Sequence, residues 1–270
     1  MVQGAVSPWD AWTSDGAAVA TLRALLWDVD GTLAETERDG HRPAFNRAFA
    51  EAGLPLHWDP QTYGRWLAIS GGRERIAAQL LELEGDKPQP QRVEALQAAK
   101  QDHYRSLVRQ GALQLRPGVA DLLCEAHQAG LCQVIVTTSG RAAINALMAH
   151  LLGPLQQVFH FWVCGDDVSR KKPHPEAYAQ AVQRLLAEGL INDSAEVLVI
   201  EDSDNGLQAA LGAGLACLVS CSHYGSQESL ANRDRAAAVV SQLGPRARVL
   251  HGPACQGEQI TLSYLQSLVR

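Results

Sequence analysis

Short apolar segments recur along the chain, each bounded by glycine, proline or polar residues. Their length and spacing predict buried β-strands. Between them, apolar residues repeat every three or four positions, as in the run from Val119 to Ala126, and this period predicts helices. Strands that alternate with helices indicate an α/β protein with a parallel sheet. The predicted strands are 22–28, 131–137, 158–164, 196–201 and 216–220.

The interval 36–112 breaks this alternation, because its sequence predicts helices only, with glycine and proline between them. A helical block inserted after the first strand indicates a second, smaller domain. We therefore predict a Rossmann-like parallel sheet core with an inserted four-helix cap domain. The predicted divisions are an N-terminal extension (1–20), the core (21–35 and 113–270) and the cap (36–112), with helices at about 40–52, 61–69, 73–83 and 89–110.

Composition narrows the class of protein. Hydrophobic residues make up 46% of the 270 residues and charged residues 19%, which is ordinary for a globular chain. The net charge of −6 argues against a nucleic-acid partner. No apolar run approaches the roughly 20 residues of a membrane span. The six cysteines include no C-x-x-C pair, so free thiols in a reducing compartment are expected. With no secretory signal pattern, we expect a cytoplasmic protein, and a monomer.

Two aspartates, Asp28 and Asp30, follow the first predicted strand, and a glycine comes next. In open α/β sheets, ligands bind at the carboxyl ends of the strands. Asp28 and Asp30 share one face of the strand because side chains alternate along it. Neighbouring carboxylates repel each other unless a cation lies between them or one holds a proton. The pair therefore suits a metal-bound nucleophile or an acid beside a base, although such a motif alone is typical of a turn.

Three further segments carry polar residues where an apolar run ends or a loop begins. The second predicted strand leads into hydroxyl side chains, among them Thr137 and Ser139. A basic trio in a predicted loop ends at Lys172, and an acidic cluster beginning with Glu201 and Asp202 follows the fourth strand. Taken singly, these segments are typical of helix caps and solvated turns. The acidic cluster offers more carboxylates than a cap requires.

Together, the segments contain what phosphoryl transfer needs. The reaction requires an in-line nucleophile, a cation that neutralises charge, and donors for the phosphoryl oxygens. Asp28 can act as the nucleophile, and Mg²⁺ can bridge Asp28 and Asp202. Lys172 and Thr137 can hold the phosphoryl oxygens. A site built from oxygen ligands alone fits Mg²⁺.

The four segments, in this order, resemble the motifs of the haloacid dehalogenase (HAD) superfamily of phosphatases and phosphomutases. Asp28–Thr32 resembles its first motif, Thr137 its second, Lys172 its third and Glu201–Asp204 its fourth. The helical insert resembles the four-helix cap of the subgroup that contains β-phosphoglucomutase and the CbbY-like sugar-phosphate phosphatases. The set is specific even though each motif alone is weak.

This resemblance implies a role for each motif residue. Asp28 would attack phosphorus and form an aspartyl-phosphate. Asp30 would protonate the leaving ester oxygen and then take a proton from the hydrolytic water. The metal ligands would be Asp28, the main-chain carbonyl of Asp30, and Asp202. Thr137, Ser139 and Lys172 would bind the phosphate.

Substrate choice is expected to come from the cap, because it closes over the site. The cap candidates are Glu37, His41, Arg73 and Lys100. Glu37 and His41 could contact sugar hydroxyls, although His41 could instead serve helix packing. Arg73 could clasp a second phosphate with its guanidinium fork, or it could be a solvated charge, as Lys100 also could. For Arg75 we predict a solvated surface charge.

The cap sequence resembles the CbbY-like phosphatases, which implies xylulose 1,5-bisphosphate, an inhibitor of Rubisco, as the substrate. A β-phosphoglucomutase-like phosphomutase and a phosphoglycolate phosphatase are the alternatives among enzymes. A ligand-binding protein without turnover is the alternative from another class. It is disfavoured because all four motif positions carry reactive side chains. The expected partner is thus a small sugar phosphate, with Mg²⁺ as cofactor.

Overall fold

The computed structural model describes residues 21–225 and 232–269, so the predicted N-terminal extension lies outside the described residues. Within these ranges, seven strands form one sheet in the order β3-β2-β1-β4-β5-β6-β7. Strands β1 to β6 pair in parallel, and β7 pairs with β6 antiparallel. The strands are β1 (Ala24–Trp27), β2 (Cys132–Val136), β3 (Phe159–Val163), β4 (Val197–Glu201), β5 (Ala216–Ser220), β6 (Ala238–Val240) and β7 (Val249–His251).

Helices cover both faces of this sheet. The helices of the core are α5 (Val119–Gln128), α6 (Arg141–Leu151), α7 (Glu176–Ala187), α8 (Asp204–Gly212) and α9 (Leu262–Gln266). Apolar residues of α5, α6 and α9 pack in one cluster with Leu25 and Trp27. Those of α7 and α8 pack in a second cluster with Ala24 and Leu26. Strand β1 is therefore buried on both faces, as its continuous apolar sequence predicts.

Between β1 and β2 the chain forms helices, as predicted for residues 36–112, which we call the helical insert. A π-helical turn (Glu37–His41) precedes α1 (Arg42–Glu51), α2 (Pro60–Trp66), α3 (Gly72–Glu84) and α4 (Pro90–Arg109). Proline occupies the first position of α2 and α4, where its missing N–H costs no helical bond.

The helical insert has its own hydrophobic cluster. It contains Phe45, Phe49, Trp58, Ile76 and Leu80, all at most 1% exposed. Trp58 thus packs inside the insert, as predicted, with Trp66 stacked near it at 6.0 Å between ring centroids. A separate cluster of this kind is what the predicted small domain requires.

The α/β class and the five predicted strands are confirmed, and two strands were missed. Strands β6 and β7 contain three residues each, which is too short for a hydrophobic period to be recognised. The expectation of a parallel sheet needs a correction at this edge, because β7 is antiparallel. None of the six cysteines forms a disulfide, as the scattered spacing predicts.

Candidate active site

The candidate site lies where β1, β2 and β4 end at the same edge of the sheet. Trp27 pairs in register with Ile135 of β2 and with Ile200 of β4, so the residues that follow these strands lie side by side. Asp28 is the next residue after β1, and its N–H donates to the carbonyl of Ile200 at 3.0 Å. The parallel pairing thus brings together side chains that are far apart in the sequence.

Lys172 forms hydrogen bonds to residues at the ends of β1, β2 and β4. Its Nζ donates to Asp28 Oδ1 at 2.8 Å, to Glu201 Oε1 at 2.6 Å and to the carbonyl oxygen of Val136 at 2.8 Å. The side chain is 4% exposed. Burial alone lowers a lysine pKa, but the charges of Asp28 and Glu201 outweigh burial and raise the pKa of Lys172 above its usual value. Lys172 is therefore a fixed positive charge beside Asp28.

Three buried carboxylates surround this lysine. Within the described residues, Asp28, Glu201 and Asp202 each place a carboxylate oxygen within 4.8 Å of the others. Burial, and next the charge of Glu201, raise the pKa of Asp28 to about 8. Burial and the charges of Asp28 and Glu201 also raise the pKa of Asp202. One lysine thus does not neutralise three carboxylates, and the cluster favours a further cation.

The donor set fits a hard divalent cation such as Mg²⁺, since it consists of carboxylate oxygens. Glu201 has protein partners, because Oε1 accepts from Lys172 and from Tyr178 Oη at 2.6 Å. Its Oε2 accepts from the N–H of Asp202 at 3.2 Å. Asp28 and Asp202 are therefore the carboxylates best placed to hold a metal, and Glu201 orients the lysine.

Two glycines allow this crowding. Gly31 has a φ of +89°, and a Cβ there would lie 2.1 Å from Asp202 Oδ2. At Gly206 a Cβ would lie 1.9 Å from the carboxyl carbon of Glu201. Any side chain at either position would displace a carboxylate of the cluster. The glycine that follows the two aspartates in the sequence is thus needed for the approach of Asp202.

Asp30 lies outside this carboxylate cluster and has its own partners. Its Oδ1 accepts from Thr36 Oγ1 at 2.5 Å and lies 3.0 Å from His41 Nε2, while Oδ2 accepts from Ser139 Oγ at 2.5 Å. Burial raises the pKa of Asp30, but the contacts with His41, Ser139 and Thr36 outweigh burial and hold the pKa below its usual range. The predicted role of its main-chain carbonyl as a metal ligand stays a prediction.

His41 connects Asp30 to Lys100 of α4. Lys100 Nζ lies 2.9 Å from His41 Nδ1, and the lysine is 3% exposed. The ammonium lies over the rings of Phe45 and Tyr104, at 4.8 and 5.3 Å from their centroids. Burial lowers the pKa of Lys100 to about 8. Both nitrogens of His41 thus have protein partners, and its contact with sugar hydroxyls stays a prediction. Lys100 is buried, so the alternative of a solvated surface charge is wrong.

Arg75 corrects a second expectation, since it is not a solvated charge but is 8% exposed. It donates to the carbonyl of Ile69 at 2.8 Å and to Tyr63 Oη at 2.9 Å, and it pairs with Glu37 at 3.3 Å. Tyr63 Oη also donates to Glu37. Arg75 and Gln79, four residues apart on α3, are both buried and lie beside the apolar pair Ile76 and Leu80, which brings Arg75 inward.

A cavity of about 350 Å³ lies between the helical insert and the core. Its lining includes Asp30, Glu37, Arg73, Gln97, Lys100 and Ser139. A smaller cavity of about 60 Å³ is lined by Asp28, Lys172 and Asp202 on the core side, and by Glu37 and Arg75 from the insert. The structure thus brings most of the predicted site residues to two adjacent spaces.

Two predicted site residues, Arg73 and Thr137, have polar groups that contact other protein groups. Arg73 lines the larger cavity at 51% side-chain exposure and pairs with Glu94 at 2.7 Å. Thr137 is 1% exposed, and its Oγ1 accepts from the N–H of Ser139 at 3.1 Å. Its neighbour Thr138 lines both cavities. The binding roles predicted for Arg73 and Thr137 stay predictions.

Several residues at the site escaped the sequence prediction. Thr36 and Tyr178 contact Asp30 and Glu201 through hydroxyl groups. Tyr178 lies in the apolar stripe of α7, so its sequence context indicates only core packing. Thr36 follows the acidic motif closely, and its proximity to Asp30 in the chain was the available signal.

Among the helices of the described residues, none has the length and apolar composition of a membrane span.

Comparisons with known proteins agree with this geometry. A family model described as haloacid dehalogenase-like hydrolase matches residues 22–214. The CbbY protein of Cereibacter sphaeroides is 40% identical over 224 residues, which cover 83% of this chain and 94% of the relative. The phosphoglycolate phosphatase of Yersinia pestis is 29% identical over 210 residues, covering 78% of this chain and 85% of the relative.

A crystal structure gives a similar result. A mutant of CbbY from Rhodobacter sphaeroides, in complex with xylulose-(1,5)bisphosphate, superposes with a TM-score of 0.69 at 39% identity. The match covers 78% of this chain and 91% of that chain. These findings confirm the predicted resemblance and the prediction of a phosphatase-type hydrolase. Because the family model spans more than half of the sequence, this chain belongs to the haloacid dehalogenase-like hydrolase family.

Proposed function

We propose that the protein is a Mg²⁺-dependent phosphatase that hydrolyses a small sugar bisphosphate, with xylulose 1,5-bisphosphate as the best single candidate. The observation that carries this proposal is the position of Asp28. Its carboxylate lies 2.8 Å from a buried lysine and within 4.8 Å of the carboxylate oxygens of Asp202 and Glu201. A nucleophile placed between a fixed cation and a candidate metal site suits a phosphoryl group.

In this proposal Asp28 and Asp202, with the main-chain carbonyl of Asp30, hold the metal. A divalent cation held there would supply positive charge for the phosphoryl oxygens and would favour the deprotonated form of Asp28. An Asp28 oxygen attacks phosphorus while the bond from phosphorus to the sugar oxygen breaks, which leaves an aspartyl-phosphate. We assign Lys172, Thr137 and Ser139 to the phosphoryl oxygens in this step. The Lys172 ammonium and the Ser139 hydroxyl would each exchange a present acceptor, Asp28 and Asp30 respectively, for a phosphoryl oxygen.

The departing sugar oxygen needs a proton, which we assign to Asp30. The low pKa of Asp30 requires a source for that proton, and the contact with His41 supplies one. A shift from His41 Nε2 to Asp30, coupled to a shift from Lys100 Nζ to His41 Nδ1, gives a neutral carboxylic acid at Asp30. The two distances of 3.0 and 2.9 Å permit both shifts without movement of heavy atoms.

The second step is hydrolysis. Asp30, having given up its proton, accepts one from a water molecule that attacks the aspartyl-phosphate. The bond between phosphorus and the Asp28 oxygen then breaks, so inorganic phosphate leaves and the Asp28 carboxylate is restored. The proton on Asp30 returns through His41 to Lys100, or remains for the next cycle.

The larger cavity supports a substrate with a second charged end. It extends from Asp30 on the core side to Arg73 on α3. A phosphate near Arg73 would replace Glu94 as the partner of the guanidinium, which binds oxyanions through two parallel hydrogen bonds. The relative crystallised with xylulose-(1,5)bisphosphate is similar in fold over 78% of this chain, which supports a sugar bisphosphate.

A substrate panel tests the proposal. The protein is incubated with Mg²⁺ and xylulose 1,5-bisphosphate, β-glucose 1-phosphate or phosphoglycolate, and both inorganic phosphate and sugar products are measured. We expect stoichiometric phosphate, fastest from the bisphosphate, and none from the Asp28→Asn variant. An isomerised sugar phosphate would instead indicate a phosphomutase. If inorganic phosphate is released fastest from phosphoglycolate, the protein is a phosphoglycolate phosphatase. If no compound reacts, the proposal of a phosphatase is wrong.

A further inference from the structure

Tyr224 belongs to the core by sequence but packs in the helical insert. It follows β5 by four residues, on a loop of the sheet domain. Its side chain nevertheless joins the hydrophobic cluster of the insert and is 5% exposed. The ring meets that of Tyr63 edge-on, with centroids 5.6 Å apart and an interplanar angle of 65°. The insert thus holds an aromatic ring that the other domain supplies.

The contact between Tyr224 and Tyr63 is connected to the candidate site through hydrogen bonds of Tyr63. Tyr63, on which Tyr224 packs, bonds through its hydroxyl to Glu37 and Arg75. Glu37, Arg75 and Tyr224 all line the small cavity that also contains Asp28. A shift of the Tyr63 ring would therefore move the ion pair that faces the nucleophile.

Two polar contacts between the insert and the loops around the core are weak. Lys171 pairs with Glu74 at 2.7 Å, but the carboxylate is 44% exposed, and exposed ion pairs contribute little. Asn205 donates to the carbonyls of Leu67 and Ala68 at 3.5 and 3.3 Å, which are long hydrogen bonds. Tyr104, Leu107 and Val108 of α4 also pack apolar groups in the core cluster, close to where the insert rejoins the core. Tyr224 differs from them because its ring lines the small cavity that holds the nucleophile.

We propose that Tyr224 is a positioning residue that fastens the insert in its closed position and thereby fixes Glu37 and Arg75 over the nucleophile. The inference rests on the proposed function, because it concerns closure over a phosphatase site. Loss of the ring removes an aromatic contact and its buried area from the closed state, while the open state loses neither. The population of the closed state should then fall by about tenfold.

The test compares full-length variants. Tyr224→Ala removes the ring, and Tyr224→Phe keeps it. Gly64→Leu places a new side chain of the insert in the space that the Tyr224 ring occupies, since a Cβ at Gly64 would lie 3.4 Å from Tyr224 Cδ1. Tyr264→Ala is the matched control, because Tyr264 is 6% exposed, lies on α9 of the core and donates to the carbonyl of Pro253, also in the core.

Two readouts are used: KM and kcat with the bisphosphate, and the radius of gyration from small-angle X-ray scattering. We expect Tyr224→Ala and Gly64→Leu to raise KM about tenfold and to enlarge the radius of gyration. Tyr224→Phe should restore both values, and Tyr264→Ala should lower thermal stability without changing either. Unchanged KM and radius in Tyr224→Ala, with the protein folded, would overturn the inference.

The scattering measurement separates this inference from the proposed function. If the wild type hydrolyses no substrate, the phosphatase proposal fails, yet the radius of gyration still reports whether Tyr224 holds the insert closed. If Tyr224→Ala and Tyr264→Ala change KM equally, the effect is one of general stability and the inference is wrong.

Discussion

Replacing Lys100 by methionine tests whether the buried lysine supplies the proton that Asp30 gives to the leaving group. Methionine has nearly the same length, so it fills the space under Phe45 and Tyr104 without a charge. The variant retains Asp30 and His41 but removes the group 2.9 Å from His41 Nδ1. Only the far end of the proposed proton relay is lost.

The size of the effect follows from the contact that is removed. A hydrogen bond to a charged group contributes about 1.5–3 kcal/mol. If that contribution is available only when the proton moves, kcat should fall roughly 10- to 100-fold. Removing the acid itself, as in Asp30→Ala, should cost more, about 10²- to 10⁴-fold. The expected order of kcat is therefore wild type, Lys100→Met and then Asp30→Ala.

The assay compares two leaving groups. A sugar alkoxide needs a proton as it departs, whereas p-nitrophenolate does not, so the loss in Lys100→Met should appear with sugar phosphate and be small with p-nitrophenyl phosphate. Lys87→Met, at an exposed position of the insert, is the control. An equal loss on both substrates would mean that Lys100 acts through packing, and no loss on either would remove it from the relay.

The same relay predicts a pH dependence. The pKa of Lys100 is lowered to about 8, so its proton is present below that pH and is lost as the pH rises through it. Sugar phosphatase activity in the wild type should therefore decline above about pH 8, and the Lys100→Met variant should lack this decline. If the activity of the variant declines above pH 8 as in the wild type, a group other than Lys100 causes the decline.

Three further predictions concern the nucleophile, the metal and the substrate. Asp28→Asn should reduce phosphate release at least about 10³-fold but not lower the melting temperature, because a buried carboxylate with a raised pKa is removed. Mg²⁺ affinity should rise with pH up to about 8, since Asp28 must lose its proton to bind, and calorimetry in two buffers should detect the released proton. Arg73→Ala should raise KM about tenfold for a bisphosphate and leave it unchanged for a monophosphate, by steady-state kinetics.

The parts of the site that could be predicted from sequence are those fixed by strand ends. Asp28, Thr137 and Asp202 each follow an apolar run, and parallel pairing brings such positions to one edge of a sheet. The same reasoning placed the helical insert, since residues 36–112 contain helical periods and no strand pattern. Local pattern and topology together therefore predicted which side chains lie at this edge of the sheet.

Contacts between distant segments could not be predicted in this way. His41 and Lys100 are 59 positions apart, and their contact depends on how the π-helical turn that precedes α1 packs against α4. Arg75 was wrongly predicted to be solvated because a charged residue beside an apolar stripe usually faces water. Its burial requires Glu37 and Tyr63, which lie on other elements. Such pairings are set by tertiary packing, which a single sequence pattern does not encode.

The electrostatics of the two aspartates explain why two adjacent carboxylates can have different roles. Asp28 lies among other carboxylates, so burial and repulsion raise its pKa to about 8, and it favours a cation. Asp30, two residues along, faces His41 and two hydroxyl groups, which lower its pKa. A carboxylate that gains from a metal is suited to be the nucleophile. One that is already stabilised by donors is suited to pass protons, because its neighbours can supply and receive them.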